Sequence, residues 1–129
     1  MDYITTATTG DATDFGDMAN NVALSKGMSS VTRAVLAGGE TPTLQNQISY
    51  ITIASAGDTS DFGDLAAAKS QNGTASNRIR GLSAGGKTPS QINVIEYITI
   101  ASAGDAADFG DLIATTTKIT GVSDSHGGL

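Results

Sequence analysis

One hundred and twenty-nine residues carry seven Lys and Arg against thirteen Asp and Glu, a net charge of −6; this argues against a nucleic-acid partner, because phosphate binding needs clustered cations. The absence of Cys and the single His exclude disulfides, Cys-ligated zinc and a multi-His metal site. No apolar run approaches the roughly 20 residues of a helical membrane span, so no membrane insertion is expected, and the first ten residues lack the basic and apolar regions of a signal peptide, with the initial Met arguing against a cleaved presequence.

Sixteen Gly, three Tyr, three Phe and no Trp leave few large side chains for a core. A repeat explains how such a chain is organised. Residues 3–18 (YITTATTGDATDFGDM), 50–65 (YITIASAGDTSDFGDL) and 97–112 (YITIASAGDAADFGDL) follow one another at an offset of 47 without a gap. Residues 33–39 (RAVLAGG) match 80–86 (RGLSAGG), and Thr41-Pro42 matches Thr88-Pro89. All six aromatics and both prolines fall on this period. A period in the forties points to propeller blades or to helical repeats.

With the strands of one unit labelled a to d from the centre outward, residues 1–18 read as a c-d pair. Residues 19–65 form a complete unit whose strand d is 61–65. Residues 64–70 (DLAAAKS) begin a helical pattern that Gly73 and Thr74 break off. Within 66–112, strand a is predicted at 71–76, b at 78–84 before the Gly85-Gly86 pair, and c at 94–102. Residues 95–101 are rich in β-branched and aromatic side chains. Ser102, Ala103, Gly104 and Asp105 have turn chemistry, with positive φ and an Asx turn expected at Gly-Asp. Residues 108–112 read as strand d and 115–123 as a further strand, so that 113–129 supplies an a-b pair. No apolar stripe at 3.6 spacing exceeds two turns, which disfavours a helical solenoid. The expected fold is all-β: a β-propeller of 47-residue, four-stranded blades, three blades per chain.

Three full repeats would span 141 residues, twelve more than the chain has, and the missing stretch corresponds to 83–94. Both ends thus fall in the same b–c loop. Three blades cannot close a ring, and an open arc leaves unpaired strand edges. Strands a-b at one C-terminus pairing with c-d at the N-terminus of another copy would close a six-bladed ring as a homodimer. The other reading is a piece of a longer repeat protein.

Arg80, Gly85-Gly86, Ile95, Tyr97, and Phe109 followed by Leu112 resemble a kelch-type blade. The usual kelch Trp is replaced by Phe15, Phe62 and Phe109, which stand farther from the Tyr. The YITIAS and DFGDL segments, with the Arg-Gly and Gly-Gly pairs, more closely resemble repeats in structural proteins of marine bacteriophages. That resemblance implies a virion or tail-associated adhesion role and a virion or extracellular location. Neither resemblance transfers a catalytic residue.

Nine of the thirteen acidic residues recur in one motif: Asp11, Asp14, Asp17; Asp58, Asp61, Asp64; and Asp105, Asp108, Asp111. Three carboxylates at i, i+3 and i+6 could ligate calcium, which takes six to eight oxygens. The spacing is not that of an EF-hand. The favoured reading is a c–d turn whose Asp side chains cap main-chain N–H groups, with no metal or cofactor. Arg33 and Arg80 are expected to pair with an Asp of this motif; Gly127 stands at the third such position. His126 is expected at the interface or surface. With one His, no Gly-x-Ser-x-Gly elbow and no Walker or Rossmann fingerprint, no enzyme is expected.

The b–c loops 40–47 and 87–93 offer Thr41, Thr43, Gln45, Lys87, Thr88, Gln91 and Asn93 as a candidate hydrogen-bonding face for a carbohydrate or other cell-surface ligand, although every aromatic is committed to the repeat. Three functional readings follow. One is a self-assembling binding or structural module. Another is a ligand-free scaffold, natural or designed. The third is a calcium-dependent sugar-binding module.

Overall fold

The computed structural model describes residues 1–123. Every regular element in them is a strand, and every pairing is antiparallel. Strands β1 (Asp2–Tyr3) and β2 (Thr13–Asp14) form a hairpin. Strands β3 (Lys26–Ser29), β4 (Arg33–Glu40), β5 (Leu44–Thr52) and β6 (Ser60–Asp64) form a sheet in chain order. The next sheet repeats that order with β7 (Gly73–Ser76), β8 (Arg80–Ala84), β9 (Lys87–Thr88), β10 (Ser90–Thr99) and β11 (Ala107–Thr116). Its path is β7-β8-β10-β11, with the two-residue β9 folded onto β10. The four-strand unit expected from the repeat is therefore present twice, preceded by one c-d hairpin.

Short polar side chains set the turns. Asn77 Oδ1 accepts from the N–H groups of Ile79 and Arg80, both at 2.8 Å, and Ser30 Oγ does the same one repeat earlier for Thr32 and Arg33. These local bonds fix the a–b turns at the ends of the β3–β4 and β7–β8 ladders. They also explain why strand b starts at Arg80 and not at 78, since Arg78 and Ile79 form the turn. Strand c runs Ser90–Thr99, earlier than the expected 94–102, because β9 folds back on it directly after Pro89.

The glycine pairs admit the neighbouring repeat. Gly39 N–H donates to Lys69 O at 2.8 Å and Gly86 N–H to Thr116 O at 2.9 Å. At Gly38, φ is 64°, and a Cβ would lie 2.5 Å from Lys69 O. Only glycine tolerates both the conformation and the approach. The chain enters β3 and β7 through left-handed residues, Leu24 and Gln71, with φ of 58° and 59°, and Lys118 repeats that conformation at 58°.

Buried Met28, Val35, Ala37, Ile48, Phe62, Leu65, Ile98 and Ile100 draw on both four-stranded sheets and form the core. Tyr50 meets Phe62 edge to face at 5.8 Å. The expected strand at 115–123 is realised only as the end of β11. Residues 117–123 form no ladder and lie beside β7: Lys118 N–H donates to Gln71 O at 2.9 Å, and Ser76 N–H to Ser123 Oγ at 2.8 Å. A ladder strand needs its hairpin partner, and the expected one, 124–129, lies outside the described residues. His126 and Gly127 lie there too.

Candidate functional site

The repeated acidic motif is where one repeat grips the next. Asp61 and Asp64 lie on or at the end of β6, and Asp108 and Asp111 lie within β11, so only the first aspartate of each motif belongs to the turn. That turn reaches across to the preceding repeat. Gly57 N–H donates to Phe15 O at 2.7 Å, Thr59 N–H to Asp17 O at 2.9 Å, and Asp17 N–H to Asp58 Oδ1 at 2.9 Å. One repeat later, Gly104 N–H donates to Phe62 O at 2.6 Å, Ala106 N–H to Asp64 O at 2.8 Å, and Asp64 N–H to Asp105 Oδ1 at 3.0 Å. Capping of main-chain N–H by these aspartates, expected within one turn, thus operates between repeats; Asp14 alone caps locally, accepting from Gly16 at 3.1 Å. Gly63 makes the contact possible. Its φ is 142°, and a Cβ there would stand 2.5 Å from the Gly104 carbonyl carbon. Among the described residues, no three acidic or His side chains are grouped to hold an ion.

Arg33 and Arg80 make no ion pair with the motif. Arg33 lies over the Tyr50 ring at 4.5 Å and Arg80 over Tyr97 at 4.6 Å. Register is the reason. Val35 faces Tyr50 and Arg33 faces Thr52, so each Arg is the diagonal neighbour of its Tyr, while strand c separates it from the strand-d aspartates. Arg33 Nη1 also donates to Ile100 O of the next sheet at 2.9 Å. First strands are joined as well, Thr74 Oγ1 donating to Gly27 O at 2.6 Å and Ser29 N–H to Ser76 Oγ at 3.2 Å.

The candidate loop residues are engaged mainly with their own strands. Gln45 Nε2 donates to Thr43 O at 3.0 Å, and Thr41 N–H donates to the same carbonyl at 2.9 Å. Asn93 Nδ2 reaches Leu112 O at 3.4 Å. Lys87 exchanges main-chain bonds with Ser70, and Thr88 and Gln91 sit in the hairpin of β9 with β10. A cleft of about 500 Å³ opens elsewhere, lined by apolar side chains including Met1, Phe15, Met18, Leu36, Ile51 and Ile53.

The buried ion pair between Lys69 and Glu96 departs from the repeat. The other copies carry Val22 and Thr116 against Lys69, and Ser49 and Asp2 against Glu96. Glu96 also accepts from Ala66 N–H at 2.7 Å. The two positions stand out as departures from the period, which is the signal that could have marked them as partners. Comparison of the chain with protein-family models and with curated proteins found no match to either.

Proposed function

We propose that the chain is a non-enzymatic β-propeller module that self-assembles into a closed ring, two copies supplying six blades. The observation that carries this reading is the constancy of the contact between units. First strands join side chain to main chain at an offset of 47, and the turns at 57–59 and 104–106 dock on residues 15–17 and 62–64 of the preceding repeat through the same three bonds. A unit that recognises its neighbour in one fixed way propagates around an axis, and six units lie within the usual four to eight blades. The resemblance to phage repeats supports a virion or tail-associated adhesion role for the ring, its b–c loops meeting a cell-surface ligand. A second reading, a scaffold without ligand, is favoured by Gln45, whose amide donates within its own loop.

Light scattering on a sizing column, over a wide concentration range, tests the ring. A stable mass near 26 kDa, twice the 13.0 kDa chain, supports it. A folded monomer at every concentration rejects it. Glycan-array binding, lost on replacing Thr41 and Gln45 together, separates the binding module from the scaffold.

A further inference from the structure

Among the described residues the docking contact between repeats is made twice, and both halves of a third stand without a partner. Phe109, Gly110 and Asp111 present the same main-chain groups as Phe62, Gly63 and Asp64, and no turn of the described residues lies upon them. A Cβ at Gly110 would meet nothing within 4 Å, and Phe109 is 52% exposed where Phe62 is 3% exposed. At the other end, Gly10, Asp11 and Ala12 repeat the docking turn, all three exposed, and no strand among the described residues receives them. Among the described residues the Asp11 carboxylate accepts no hydrogen bond, whereas those of Asp58 and Asp105 each accept one.

Resting on the two-copy reading above, we propose that residues 10–12 of one copy dock on residues 109–111 of a second copy. Gly10 N–H donates to Phe109 O, Ala12 N–H donates to Asp111 O, and Asp111 N–H donates to the Asp11 carboxylate. The same register supplies what Arg80 lacks. It already lies over Tyr97 as Arg33 lies over Tyr50, and the Thr6 carbonyl of the copy that supplies residues 10–12 takes the place that Ile100 O has for Arg33. Apolar surfaces agree. Ile4, exposed, holds the repeat position of buried Ile98, and it would cover a cleft lined by Ala75, Leu82 and Phe109. Val122, also exposed, holds the position of buried Met28, and the cleft bordered by Phe15, Ile51 and Ile53 is the space that Met28 fills one repeat later against Phe62, Ile98 and Ile100. A second copy is the occupant because polar, cationic and apolar features all match at the repeat's own spacing, which an unrelated surface has no reason to reproduce.

Amide hydrogen exchange by NMR on the full chain, paired with sedimentation of the wild type and Asp11→Ala, tests this. The expected result is protection of the Gly10, Ala12 and Asp111 amides in step with association. Asp11→Ala should weaken association about a hundredfold, because the two-copy ring makes this contact twice and one exposed charge-assisted hydrogen bond is worth about tenfold. The unfolding midpoint of the dissociated chain should not move, whereas Asp58→Ala should lower it. A 26 kDa species in which those three amides exchange freely, or in which Asp11→Ala has no effect, overturns the docking and leaves the two-copy reading standing. A monomer at all concentrations overturns both. Species of growing mass with the three amides protected uphold the docking and overturn the closed ring.

Discussion

Lys69 and Glu96 offer the sharpest test of the packing between the two sheets. Their side chains are 1% and 3% exposed, so both charges are out of water. Removing one leaves the other buried without its partner, at a cost of about 3–5 kcal/mol. Glu96→Gln isolates that term, because the amide oxygen can still accept from Ala66 N–H. With a urea slope of about 2 kcal/mol/M, the midpoint should fall by roughly 1.5–2.5 M. Lys69→Met should cost a similar amount. The double variant removes both charges and keeps the acceptor for Ala66, so it should recover to within about 1 kcal/mol of the parent. Far-UV circular dichroism is the appropriate probe in a chain without Trp, at one fixed concentration so that association does not enter the comparison. Single variants that each lose less than about 1 kcal/mol, with losses that add in the double, would refute the coupling.

Phe62→Ala should destabilise the dissociated chain by about 3–5 kcal/mol and Phe109→Ala by well under half of that, although the two hold the same repeat position; equal losses in urea would show that the core does not lie between the sheets. Gly63→Ala should cost more than Gly110→Ala. Both residues have φ near 140°, a strain of about 1–3 kcal/mol for alanine, but only Gly63 has the next repeat against it; thermal melts of dilute protein compare them. Chelator should leave the melting temperature unchanged, since the Asp58 and Asp105 carboxylates serve main-chain N–H groups; a drop would assign those carboxylates to calcium.

Much of the fold is written in local chemistry. Tyr97, Phe109, Gly85-Gly86 and their counterparts repeat at 47 because each unit makes the same turns and strands. Strand character depends on neighbours in the chain, and the all-β reading and the four-strand unit follow from it. The contacts between units are different in kind. Asp58 is a turn residue by sequence, and nothing local says that it will accept the N–H of Asp17 in the preceding repeat. Arg33 has the charge to seek an aspartate, yet strand register sets it beside Tyr50 and places strand c between it and the acids. Lys69 and Glu96 meet because the linker into β7 brings Ala66 and Lys69 against Glu96 of the next sheet. The period, the strands and the turns are legible in the residues alone, because these rest on backbone preference and side-chain alternation over a few residues. Which groups meet between repeats is not legible there, because those partners are set by how whole sheets stack.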